Sequence, residues 1–392
     1  MGNFDEVINR WNTKSVKWDL VETLFQSKDV IPMWVADMDF KAPQEVNEAI
    51  IKRAEHGVYG YTLADHAFKE SIINWNKERH NWSIQPEWLT FSSGVVASLH
   101  MAIQAFSEPN DGILIQTPVY PPFYNSINAL DRTIIKNPLI FQDNYYTIDF
   151  ADFEEKLKQV KVFILCSPHN PVGRVWRKDE LEEMARLCIK HNVLIISDEI
   201  HGDLVYPGKK HIPIASLSEE IANQTITCMA PSKTFNVAGL AASYCITSNE
   251  EYKRLLDKAF NKQGFHSDQL NTMGQVAMEA AYTYGAPWVD ELNTLLESHY
   301  HFVKESFEKH APELNVVKSE GTYLLWIDCS GLKLNAKELR EFFVKEAKVG
   351  LNAGKDYGEE GEQFMRMNVG CPRETLEEAV ERIIEAVKRN RI

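Results

Sequence analysis

The chain has 392 residues, 44% of them hydrophobic and 25% charged, which suits a globular protein of two domains, or one large domain with a satellite. A formal net charge of −14 repels phosphate backbones and anionic lipid surfaces, so neither nucleic acid nor a membrane is expected as a partner. No apolar stretch reaches membrane-spanning length, the N-terminus MGNFDEVINRW lacks the parts of a signal peptide, and the six cysteines form no CxxC pair, so free thiols in a reducing cytoplasm are expected.

In chain order, the first expected helix covers 43–56, with Pro43 in its first turn and Gly57 at its stop. Ser93 and Gly94 then open an apolar helix through Val96, Leu99, Met101, Ile103 and Phe106. Small residues there leave backbone N–H groups at the positive helix end, a natural phosphate cradle, although an ordinary cap has the same sequence. The runs 112–116, 162–166, 193–197, 225–229 and 241–247 have the length and apolar content of buried strands. Between the second and third, 179–191 places Leu181, Met184, Ala185 and Cys188 on one helical face. Strand, helix and strand in that order predict a βαβ unit, hence an α/β domain whose sheet is largely parallel and whose ligand lies beyond the strands' carboxyl ends.

Further on, 288–309 is expected as a long helix carrying the chain into a smaller domain. The last helix repeats Leu376, Ala379, Val380, Ile383, Ile384 and Val387 at helical spacing, with Thr375 and Glu378 as a capping box. The expected division is a large domain over 46–289 and a small one formed by 1–45 and 290–392. The sequence contains no GxGxxG, Walker A, HExxH or GxSxG motif.

What remains for chemistry is a set of polar residues placed just after strands. Lys233 follows an apolar run and precedes small residues; desolvation there lowers an amine's pKa and makes it a nucleophile toward aldehydes, whereas a solvated loop lysine would do nothing. Asp198 ends the strand 193–197, where a carboxylate needs a cation such as a protonated pyridine nitrogen, or else serves as a cap or a structural ion pair. Glu199, His201 and Asp203 alternate and could share a face as metal ligands, but no second His/Cys cluster completes that set, and no metal is expected. Asn170, in the Pro- and Gly-stiffened turn CSPHNPVGRVW, can bond a ligand oxygen or only its own backbone. Tyr120, in TPVYPPFY, can stack on a flat ring or simply pack.

In this order the five segments resemble the fold-type I pyridoxal-5′-phosphate (PLP) enzymes related to class I/II aminotransferases. PMWVADMDF (32–40), HGVYGYT (56–62), TPVYPPFY (117–124), CSPHNPVGRVW (166–176), SDEIHGDLVY (197–206), APSKTFNVAGL (230–240) and MRMNVGCPR (365–373) look like the cystathionine β-lyase, or cysteine-S-conjugate β-lyase, branch. The resemblance implies a PLP-dependent transferase-like α/β fold: a mostly parallel sheet between helices, plus a smaller α+β domain. It implies Lys233 as the amine that holds PLP in a Schiff base and then acts as a base. Asp198 would pair with the pyridinium nitrogen. Asn170 would bond the ring oxygen, with His201 beside it, and Tyr120 would stack on the ring. Gly94, Val95 and Val96, with Ser232, would hold the phosphate. Tyr61 would reach the phosphate of a neighbouring subunit, which requires a homodimer with the site at the interface. Arg366 would clamp the substrate carboxylate, with Tyr120 and Asn170 beside the substrate.

The implied reaction is β-elimination on a sulfur amino acid, releasing a thiol, pyruvate and ammonia. Two departures from the aminotransferase pattern, Ala241 in place of an arginine and His201 in place of a tyrosine, weigh against simple transamination. An aminotransferase on the same cofactor and a regulatory, protein-binding role on the same fold are the rival expectations. The preferred thioether and the pathway have no signature in the sequence.

Overall fold

The computed structural model describes residues 2–264 and 266–390. Seven strands form the central sheet: β1 (Leu89–Ser92), β2 (Gly112–Thr117), β3 (Thr133–Pro138), β4 (Val160–Cys166), β5 (Leu194–Asp198), β6 (Thr225–Met229) and β7 (Ser243–Ile246). Their order across the sheet is β1-β7-β6-β5-β4-β2-β3. Every neighbouring pair is parallel except the two that involve β7, which runs against both β6 and β1. The α/β expectation and its mostly parallel sheet therefore hold, with one reversed strand where 241–247 was expected.

Strands β2, β4, β5 and β6 are buried at nearly every position, as a sheet covered on both faces requires. The predicted crossover helix is present at Lys178–Lys190, and Glu180 supplies the capping box that starts it. The apolar helix after Gly94 is Val95–Phe106, packed on the other face of the sheet with Leu99, Ala102 and Ile103 fully buried. The helix Gln44–His56 follows Pro43 and stops at Gly57, whose φ of 71° lies in the left-handed region that glycine occupies without strain.

The long helix Ala286–His310 leads to a second sheet: β8 (Asn315–Val316), β9 (Leu324–Asp328), β10 (Asn352–Ala353) and β11 (Phe364–Asn368), in the order β8-β9-β11-β10 and wholly antiparallel. The chain's beginning returns to this region, since Ile31–Pro32 pairs in parallel with Val349–Gly350. The last helix, Arg373–Arg389, buries the expected Leu376, Ala379, Val380, Ile383, Ile384 and Val387. Its start differs from the expected capping box: Pro372 is the N-cap, no side chain caps the helix, and Thr375 already lies inside its first turn. Proline pre-sets the backbone for helix entry, so no hydroxyl cap is needed three residues later.

Candidate active site

Register places Cys166, Asp198 and Cys228 side by side at the carboxyl ends of β4, β5 and β6. The loops that leave this edge carry Tyr120, Asn170, His201 and Lys233, so the parallel sheet itself gathers residues that are far apart in sequence. Together with Gly94, Val95, Val96 and Ser232 they line one cavity of about 190 Å³.

Lys233 sits in the single helical turn Pro231–Thr234, directly after β6. Its Nζ donates to the carbonyl oxygen of Ala36 at 2.7 Å. Burial, followed by the nearby charge of Arg366, pushes the amine down to about 8 against the opposing pull of Asp37 and Asp198. Asp198 is 4% exposed, and its carboxylate accepts a 3.2 Å bond from the backbone N–H of Ile200. Burial pushes it up to about 7, the behaviour of a carboxyl that lacks a bonded cation.

Arg366, on β11, has the opposite deficit. Its guanidinium donates to the Asn170 side-chain oxygen at 3.2 Å, to the Trp34 carbonyl at 2.8 Å and to the Asn352 side-chain oxygen at 2.7 Å. Its Nε is buried without a partner, and no carboxylate forms an ion pair with it among the described residues. The Tyr357 ring lies 5.1 Å from the guanidinium carbon. A buried cation bonded only to neutral oxygens has the charge and donors to take a small carboxylate.

His201 is 4% exposed, its Nδ1 has no partner, and its ring meets Tyr323 edge-on at 6.0 Å. Burial, with the charges of Lys233 and Arg366, pushes it down to about 3, so it is a neutral imidazole at working pH. Gly94 precedes the Val95–Phe106 helix, and a Cβ built there meets nothing within 4 Å. The space before that helix's first N–H groups is therefore open, as a bound anion requires.

Two site residues expected from the sequence stand apart from the cavity lining. Arg366 joins it through Asn170, whereas Tyr61 is 99% exposed on a segment where Val58, Tyr59 and Leu63 are exposed too. Glu199 and Asp203 do not share a ligand face with His201: Glu199 bonds Ser197 and His211, while Asp203 bonds Trp75 and Thr234. Sequence reasoning missed the backbone carbonyls of Trp34 and Ala36 and the side chains of Asn352 and Tyr323. A peptide carbonyl has no residue signature, so only the folded chain reveals the first two.

Comparison with known proteins places these features among relatives. The model of the family described as aminotransferase class I and II matches residues 28–383. Cystathionine beta-lyase PatB of Bacillus subtilis is 44% identical over 387 residues, covering 98% of this chain and 100% of that one. Cystalysin from Treponema denticola, solved with a pyridoxal 5′-phosphate cofactor, is 37% identical with a TM-score of 0.96 and full coverage of both chains. The PLP-bound C–S lyase from Staphylococcus hominis is 32% identical, with a TM-score of 0.91 and 98% of each chain covered.

Proposed function

The chain belongs to the aminotransferase class I and II family, and we propose that within it the protein is a PLP-dependent carbon–sulfur β-lyase acting on β-thioether amino acids such as cystathionine. The overall reaction consumes one water and releases a thiol, pyruvate and ammonia. One observation carries the reading: a single cavity gathers a desolvated amine, a carboxylate lacking a bonded cation and, beside them, an arginine lacking a carboxylate.

The residues present suit PLP. The open space at Gly94, with the N–H groups of Val95 and Val96 and the Ser232 hydroxyl, would hold its phosphate. Tyr120 would lie against the ring, Asn170 and the uncharged His201 would flank its oxygen, and Asp198 would face the ring nitrogen. A cationic nitrogen against Asp198 would return that group to its ionised form. When bound, PLP supplies an electron sink that weakens the Cα–H and Cβ–S bonds of an attached amino acid.

The chain's own work is orientation and proton transfer. Arg366 fixes the substrate carboxylate as a planar fork, which sets the direction in which the Cα–H bond points. Lys233, held near 8, is unprotonated in a useful fraction at neutral pH, so its amine would be available to hold the aldehyde carbon of the group, and it is the base placed to take the Cα proton. Asp198 would hold a proton on the ring nitrogen of the bound group.

Tyr61 is read as reaching the phosphate of a second copy, making a homodimer with shared sites; its exposure and that of Val58, Tyr59 and Leu63 support this. The large-domain range 46–289, with 1–45 and 290–392 as the small domain, would put the site between them. Six free, buried cysteines support a cytoplasmic location, and no helix among the described residues is long and apolar enough to cross a membrane.

The test is an assay of PLP-loaded protein with cystathionine in the absence of any 2-oxo acid. Equimolar pyruvate and thiol are expected, and Lys233→Ala abolishes both. Turnover that requires a 2-oxo acid would make the protein an aminotransferase instead.

A further inference from the structure

The turn after Asp198 does more than supply His201 to the cavity. Glu199 accepts from the Ser197 hydroxyl at 2.8 Å and from the Ile214 N–H at 3.2 Å, and it meets His211 Nε2 at 2.8 Å. The His211 ring stands edge-on to His80 at 5.3 Å, and His80 Nε2 lies 3.1 Å from Asp203 Oδ1. The Trp75 indole N–H donates to Asp203 at 3.1 Å, and the Thr234 hydroxyl donates to its other oxygen at 2.8 Å. Asn293 donates to the Asp203 backbone carbonyl at 2.8 Å. None of these side chains is more than 5% exposed.

The two ends of this buried chain are informative. Glu199 directly follows Asp198, and Thr234 directly follows Lys233. A buried carboxylate is costly unless it is paired, and well-packed apolar residues commonly serve stability as well or better. Two buried acids and two buried histidines beside Asp198 and Lys233 therefore direct attention to a role in placing those neighbours. The turn Pro231–Thr234 is a single helical turn with no side-chain N-cap, too short to fix its own orientation. Asp203 is itself anchored by two long helices, through the Trp75 indole N–H on His66–His80 and through Asn293 on Ala286–His310.

We propose that Asp203 and Thr234 are positioning residues for Lys233: the carboxylate, braced by the Trp75 indole N–H, grips the Thr234 hydroxyl and so aims the neighbouring amine into the cavity. The inference rests on Lys233 being the PLP-binding amine. Neither residue lines the cavity, so both act through the backbone of the Lys233 turn. A small misplacement of a reacting group costs up to about 100-fold in rate without changing how substrate binds.

Three variants of the holoenzyme decide it. Thr234→Val keeps the volume and removes the hydroxyl; Thr234→Ser keeps the hydroxyl; Trp75→Phe withdraws the indole donor while retaining a ring to pack on Tyr282. Thr234→Val is expected to bind PLP with visible absorbance, to lose about tenfold in kcat with KM within about twofold, and to shift the pH midpoint of that absorbance. Thr234→Ser restores all three values, and Trp75→Phe moves them in the same direction by less, which keeps the test open if Thr234→Val does not accumulate. If Thr234→Val, or Trp75→Phe in its place, matches wild type in kcat and absorbance midpoint, or if Thr234→Ser is as impaired as Thr234→Val, the proposal is overturned while the PLP reading stands. Wild type that develops no visible absorbance with PLP would overturn the underlying reading instead.

Discussion

Lys233 Nζ and the Ala36 carbonyl oxygen, 197 positions apart in sequence, are 2.7 Å apart in the fold, and the Tyr323 hydroxyl donates to the same oxygen at 2.9 Å. The segment around Ala36 is pinned on both sides. Asn368 donates to the carbonyls of Val35 and Asp37, and Asn236 donates to those of Met38 and Phe40. The amine thus rests against a backbone acceptor that does not titrate, inside a partly desolvated pocket.

That environment sets a pH dependence. Burial, then the charge of Arg366, hold the amine down to about 8, so the rate at which the apoprotein takes up PLP should rise with pH around a midpoint near 8. Arg366→Gln removes a positive charge that disfavours the protonated amine, so the midpoint should move upward. The check is stopped-flow absorbance across pH for both proteins. A wild-type midpoint near the free-lysine value of about 10.4 would contradict the account.

Asp198 makes a prediction about stability. Its folded-state value of about 7 lies above the ordinary aspartate value of 3.8, so the folded protein holds this proton more tightly than the unfolded chain. The contribution is fully present below the lower value and is lost as pH rises through the upper one. Apoprotein stability should therefore decline between about pH 4 and pH 7, by on the order of 2–4 kcal/mol from this group. Asp198→Asn removes that part of the slope, and PLP, by supplying a cation, should restore stability to wild type but much less to the variant. Thermal melts of both apoproteins at pH 5 and pH 8 measure it.

Arg366 tests recognition of the substrate carboxylate. Arg366→Lys keeps a charge but loses the planar fork, and its contacts with Asn352, Trp34 and Asn170 cannot all be rebuilt by one ammonium. KM for cystathionine should rise by about 10- to 100-fold, with PLP content unchanged by absorbance. An unchanged KM would remove Arg366 from the substrate site.

Tyr61 tests the second copy. Its side chain is 99% exposed, so Tyr61→Ala should leave the melting temperature of the monomer fold unchanged while weakening PLP retention. At a PLP concentration too low to load Tyr61→Ala, mixing it with Lys233→Ala under subunit exchange should recover about one quarter of wild-type activity, because half the dimers are mixed and each has one intact site. No recovery would mean that each chain completes its own site.

Much of this was legible in the sequence because a parallel sheet concentrates chemistry at one edge. Apolar runs ending at Cys166, Ser197 and Met229 pointed to strands, and the polar residues just beyond them, Asn170, Asp198, His201 and Lys233, did meet in one cavity. The edge strand Thr133–Pro138 escaped notice because its mixed exposure gives neither a continuous apolar run nor clean alternation. The reversal of Ser243–Ile246 was hidden for another reason: a buried strand reads alike in either direction. Asp203 looked like a possible metal ligand because local alternation is visible in sequence, whereas its partners Trp75 and His80, more than 120 positions away, are not. The carbonyls of Trp34 and Ala36 leave no trace in side-chain identity at all.

The identity of the amine that carries the cofactor decides the chemistry of this site. Borohydride reduction of the PLP-loaded protein, digestion and mass spectrometry of the peptides read this directly. A single phosphopyridoxyl-modified peptide containing Lys233 is predicted, and it should be missing from the Lys233→Ala protein. Label on another lysine, or no label in a protein that turns over cystathionine, would contradict the account.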